Sequence, residues 1–205
     1  LAKTPTPVLS THEWDAIFGG NADEGLRYDR FGEIDELVFV ALPETFFQLQ
    51  RQIKKKTRTD EETIYYKVTT PVYQGDQELW VDGRFLDLRD IRPQIPDVKK
   101  VAPLEVLQRL RAAEGIPYTW HGSSREGAPK MLQYYPPKQS ISSRMKSDWM
   151  LQGFDTLGLL FFVSDGQTPL EINSLSRFGD PVHADLGLEK TEEKSIENSG
   201  GDFRN

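Results

Sequence analysis

Between about residues 8 and 92 the chain alternates apolar and polar positions in short runs separated by turn residues, the two-residue period of half-buried strands. IDELVFVAL (34–42), TIYYKVTTPVY (63–73) and ELWVDGRFLDL (78–88) show it best. In the last of these, Asp82-Gly83 falls between two short apolar runs. Glycine accepts positive φ without steric cost, so the pair predicts a tight turn. Together the strands predict a small β-barrel over 8–92. RPQIPDVKK (92–100) then holds two prolines in nine residues. Proline fixes φ and removes a backbone donor, so residues 93–100 read as a linker.

Beyond the linker the period lengthens. In PLEVLQRLRAAEG (103–115), Leu104, Leu107 and Leu110 recur at helical spacing and Gly115 stands where a C-terminal cap is wanted, which predicts one amphipathic helix. Residues 123–153 keep no period. Pro129, Pro136 and Pro137 interrupt them around Tyr134 and Tyr135, so a long excursion or lid is expected. GFDTLGLLFFVSDG (153–166) is almost continuously apolar from Leu157 to Val163, the pattern of a buried helix ending at Asp165-Gly166. EKTEEKSIENSGGDFRN (189–205) is charged and poor in apolar residues, and is expected to be a disordered tail. Strands followed by helices place the fold in the α+β class, as two domains over 8–92 and 101–188.

Composition narrows the function. A length of 205 residues suits one large domain or two small ones, and 37% hydrophobic residues with 16 Gly and 13 Pro provide for cores joined by many turns. The formal net charge of −7 argues against a nucleic-acid binder, because neutralising phosphates takes a clustered cationic face. The basic run Lys54, Lys55, Lys56 and Arg58 reads as a solvated hairpin loop. No run of about 18 apolar residues occurs, so no membrane span is expected. Zero cysteines exclude disulfides, zinc–thiolate sites and a thiol nucleophile. A start at Leu1 rather than Met fits either an excised piece of a longer chain or a mature chain whose targeting segment was removed.

GIPYTWHG (115–122) resembles the Tyr-x-Trp-Gly-Gly motif of NlpC-type cell-wall endopeptidases, and GFDTLGLLFFV (153–163) resembles the Asp-Cys-Ser-Gly-Leu motif that starts their nucleophile helix. Between the two, MLQYYPPK (131–138) and Trp149 resemble a stretch that precedes the cysteine in members with a long insertion. TPLEINSLSRFGDPV (168–182) resembles a later Thr-Pro-Arg-Asn-Thr-Ser segment with its Phe-Gly-x-Pro-Val ending. FGEIDELVFV (31–40) and WVDGRFLDL (80–88) resemble strands of the bacterial SH3-like domains often fused to these enzymes. The resemblance implies an SH3-like β-barrel followed by a reduced papain-like domain. It also implies an extracytoplasmic location in the periplasm or cell envelope, a peptidoglycan stem peptide as ligand, and neither cofactor nor metal.

In that family a cysteine thiolate attacks the amide after D-glutamate in the stem peptide, and a histidine on a later strand acts as base. Matching the motifs puts Thr156 at the nucleophile, Leu157 where the family has serine and His121 where it has glycine. His12 lies in the β module, so His183, 27 residues after Thr156, is left as the candidate base, although VHADLGL (182–188) departs from the family's His-Val-Gly-Ile-Tyr strand. A thiol is partly ionised near neutrality, whereas an alcohol needs a strong adjacent base. Threonine nucleophiles usually use their own terminal amine, which an internal residue lacks. Thr156 therefore reads first as a residue that packs or caps a helix start, and His121 as a loop residue.

Tyr118, Trp120 and Asp155 are the ligand-binding positions that the resemblance implies, with Asp155 pairing an ammonium and Tyr118 bonding the peptide backbone. A buried tyrosine and an N-cap aspartate need no ligand, and that alternative stands beside the first. The expected function is a non-catalytic relative that binds stem peptide or a protein partner. An active hydrolase of unfamiliar arrangement, and an interaction module working through its SH3-like part, are the competing readings. The 49 residues after Thr156 are fewer than the strands of a papain-like core require. Either a reduced sheet, or a surface completed by another protein or a second copy in a homo-oligomer, is expected.

Overall fold

The computed structural model describes residues 1–21, 24–73, 75–89 and 101–165. The linker at 93–100, His183, the 168–182 segment and the tail at 189–205 lie outside the described residues. Five strands form one antiparallel sheet: Thr6–Leu9 (β1), Leu37–Ala41 (β2), Gln48–Lys56 (β3), Glu62–Thr69 (β4) and Leu79–Asp82 (β5), in the order β2-β1-β5-β4-β3. A one-turn helix, Trp14–Ile17 (α1), leaves β1. With the helices described below, this is an α+β fold.

The closed barrel expected over 8–92 is corrected to an open sheet, because no ladder joins β2 to β3 among the described residues. Both edges have a physical reason to stay apart. On β2 the Val40 carbonyl takes the Ser123 hydroxyl from the second half of the chain. On β3 most residues are exposed, among them Arg51, Lys54 and Lys56, and Lys55 is half-buried; charged edges of this kind resist strand pairing.

The basic run expected in a solvated hairpin loop is also relocated. Lys54, Lys55 and Lys56 end β3 and pair with Glu62 at 2.6 Å, with Glu13, and with Asp60 at 2.9 Å. Arg58 does lie in the turn, but its side chain is only 16% exposed. Its Nε donates to the Phe18 carbonyl at 3.3 Å, Nη2 to the Pro136 carbonyl, and its backbone N–H to Asp15 at 3.1 Å. The turn expected at Asp82-Gly83 forms as a 3₁₀ turn, Gly83–Phe85, in which Asp82 accepts the Arg84 N–H at 2.8 Å. A Cβ on Gly83 would strike the Tyr66 ring and the Ile64 carbonyl.

Both faces of the sheet are buried over β1, β2, β5 and most of β4. Strand residues alternate between faces, and so Tyr66, Val68, Leu79 and Val81 enter one apolar cluster while Tyr65 and Trp80 enter the other. The second half of the chain contributes to both. Its elements are Pro103–Ala112 (α2), Ser123–Ser124 (β6), Met131–Tyr134 (α3), Ser143–Trp149 (α4), Gly153–Phe154 (β7) and Thr156–Val163 (α5). Phe161 of α5 joins the first cluster, and Met131, Tyr135, Trp149 and Leu151 join the second.

The excursion expected over 123–153 is therefore anchored to the sheet by buried residues at both ends, Met131 and Tyr135 before an exposed stretch and Trp149 and Leu151 after it. Trp149 donates its indole N–H to the Tyr135 carbonyl at 2.7 Å. Tyr135 reaches a fully buried carboxylate, Asp82, at 2.6 Å, and its hydroxyl lies 3.0 Å from that of Tyr65. Asp82 also takes Thr63 Oγ1 at 3.1 Å and Arg84 Nη2 at 2.7 Å. A buried charge is tolerated when its lone pairs are filled in this way.

The helix expected from the leucine spacing is present as α2, and Gly115 beyond it adopts φ +77°. Its leucines do not form a buried face among the described residues: Leu104, Leu107 and Leu110 are 68%, 53% and 39% exposed. Arg109 on another side of the helix makes the tie to α5, meeting the Phe162 carbonyl at 3.3 Å and Asp165 at 3.2 Å.

Candidate functional site

The two segments that carry the family resemblance are 30 to 40 residues apart in sequence and meet in space. β6 pairs with β7, Ser123 opposite Phe154 and Ser124 opposite Gly153. Thr119 N–H donates to the Phe154 carbonyl at 3.1 Å, Asp155 N–H to Gly122 at 3.1 Å, and Thr119 Oγ1 to Gln152 at 2.6 Å. Tyr118 forms a further parallel bridge with Phe154. Glycine makes the approach possible: a Cβ on Gly158 would drive into the Gly122 carbonyl, and one on Gly122 would meet Gly153.

Asp155 organises this junction. It is the N-cap of α5, with Oδ1 accepting Gly158 N–H at 2.5 Å and Oδ2 accepting His121 N–H at 3.1 Å. Burial pushes its carboxyl above the usual range, and the backbone donors oppose that shift. The N-cap reading thus describes the observed geometry. Tyr118 differs from its structural alternative, because it is 67% exposed rather than buried. Its phenol is raised by desolvation, then by the Asp155 and Glu33 carboxylates. Trp120 is partly buried, its ring edge-on to His121 at 4.6 Å.

Thr156 is exposed at the first turn of α5, and among the described residues its hydroxyl bonds to no side chain. His121 makes no hydrogen bond to it among the described residues. Its ring lies against the Val38 backbone, and burial lowers its pKa to about 4, so it is neutral at pH 7. His183 is outside the described residues. Among the described residues no group of three His, Asp or Glu could hold a metal, and no helix is long and apolar enough to cross a membrane.

Tyr118, Trp120, His121, Asp155 and Thr156 are thus gathered at the start of α5. Sequence reading did not anticipate Glu33, which comes to Tyr118 from the loop before β2, or Ser123, which binds β2. Neither carries a local signal, since a loop glutamate and a serine after glycine are ordinary. Comparison of the chain with models of protein families, with curated proteins and with solved structures finds no match.

Proposed function

We propose that this chain is a non-catalytic relative of NlpC-type endopeptidases, with an SH3-like module and a reduced papain-like part, which binds a cell-wall stem peptide beside Tyr118 in the cell envelope. The observation that carries the reading is the junction at the start of α5. The two motifs converge there, yet the position that needs a thiolate holds an exposed threonine to which no base is bonded among the described residues. An alcohol left at its ordinary pKa is a poor nucleophile towards an amide.

Binding does not need the nucleophile. Tyr118 offers an exposed ring and hydroxyl, and the nearby Asp155 and Glu33 carboxylates make the surroundings negative, which suits the free amine of a stem peptide. Asp155 acts here mainly by holding the loop and α5 together, since both its oxygens already accept backbone N–H groups. Calorimetric titration with muramyl tripeptide, alongside an assay for newly released amine, tests both halves of the reading.

A protein partner or a second copy is the second reading, favoured by the exposed leucines of α2. Light scattering at high protein concentration tests it, and a strict monomer counts against self-association.

A further inference from the structure

β2 is an edge strand of the sheet, yet all five of its residues are buried. The loop between the two motifs closes its outer side. Val40 stands opposite Pro7 in the β1 register, and its carbonyl, on the outer side of the strand, accepts the Ser123 hydroxyl. Two residues back along the strand, at the β-bulge where Val38 has no partner on β1, the His121 ring lies against the Val38 backbone. Alternate positions of β2 are therefore met by alternate residues of the loop.

His121 is held in place from several directions. Its backbone sits at φ +54°, its N–H bonds to Asp155, and its ring abuts Trp120. Among the described residues no carboxylate pairs with that ring. β2 (LVFVA), β6 (two serines) and α5 (TLGLLFFV) contribute no ionisable side chain. The Asp155 carboxylate is taken up by the backbone N–H groups of His121 and Gly158, and Glu33 acts on Tyr118. Burial accordingly disfavours the imidazolium, and the Val38 backbone offsets this only in part.

We propose that His121 and Ser123 form an acid-releasable latch on the outer edge of β2: protonation of His121 turns its ring to water and frees that edge to exchange or to pair with another strand. Such a latch also accounts for the open sheet, because it occupies the side on which a barrel would close.

Histidine side-chain NMR and backbone amide exchange on the full chain, followed from about pH 7.5 down to about pH 3.5, test the latch. His121 should titrate near pH 4. Over the fall in pH, after correction for intrinsic exchange, protection of the His121 and Gly122 amides should drop by about a hundredfold while the β1–β2 ladder keeps its own. The step should vanish in His121→Gln and His121→Asn, the latter better suited to positive φ. It should persist in Asp155→Asn, which keeps an acceptor without the titration. Ser123→Ala should lower protection of the loop at every pH. His121 titrating near its ordinary value, loss of loop and ladder together, or a step retained in both His121 variants would overturn the proposal. Where the variants fold poorly, the native chain's own titration and exchange decide it.

Discussion

Replacing Tyr135 by phenylalanine isolates the contact that docks the second half of the chain on the sheet. The ring is fully buried, its hydroxyl bonds to Asp82 at 2.6 Å, and the Tyr65 hydroxyl lies 3.0 Å away. A short bond to a buried carboxylate is charge-assisted, and its loss costs about 1.5–3 kcal/mol. Asp82 keeps Thr63 and Arg84 as donors, which holds the cost towards the lower end, while Tyr65 loses its partner, which raises it. The expected loss is about 2 kcal/mol, close to a 1 M fall in urea midpoint for an m-value of about 2 kcal/mol/M. The neighbouring Tyr134→Phe is the control. Its hydroxyl reaches the Arg84 carbonyl only at 3.4 Å from a half-buried site, so its removal should cost under about 0.5 kcal/mol. Urea unfolding of the two variants against the native chain measures the difference. Equal, negligible losses in both would mean that Tyr135 is not seated against Asp82 and would refute the docking described above.

Asp155→Ala removes the N-cap of α5 and its tie to His121, and should cost about 1–2 kcal/mol in the same assay, with Asp155→Asn costing less. His121 has a folded pKa of about 4 against 6.5 in the unfolded chain. The unfolded state therefore binds more protons between these values, and stability should fall by about 3 kcal/mol as pH drops through that window and level off below it. Asp155, whose carboxyl is raised, works in the opposite sense, so pH-dependent unfolding should be steeper in Asp155→Asn and flatter in His121→Gln. Thr156→Cys should release no amine from a stem peptide, because no described group is placed to ionise the thiol; hydrolysis by this variant would mean that the nucleophile alone was missing. Tyr118→Ala should leave stability within about 0.5 kcal/mol, given its exposure, and should weaken peptide binding about tenfold by calorimetry.

Strand positions were legible where alternation was strong. β2, β5 and all but the first residue of β4 fall within the three best-patterned runs, α2 follows the leucine spacing, and α5 follows the continuous apolar run. β3 escaped because its residues QLQRQIKKK are exposed on both faces and so show no alternation. The extent of the 123–153 segment was clear but its docking was not. Tyr135, Trp149 and Met131 are buried by contacts with residues many positions away, among them Trp14 5.5 Å from Tyr135 between ring centroids, and such contacts leave no local period. At the site, only the family resemblance put Tyr118 and Asp155 in one groove; no spacing in the sequence indicated that the two segments meet, as they do through β6 and β7. The roles of His121 and Ser123 were hidden because they depend on Val38 and Val40 of a strand some 80 residues earlier.

The central claim is that the junction at the start of α5 binds without cutting. Titrating the purified chain with muramyl tripeptide in a calorimeter, and assaying the same sample for new amine, measures both parts at once. The account predicts saturable heat with a Kd in the micromolar to millimolar range, about −8 to −4 kcal/mol, and no amine above the peptide control. Amine released at a rate proportional to protein concentration, or no heat at millimolar ligand, would contradict it.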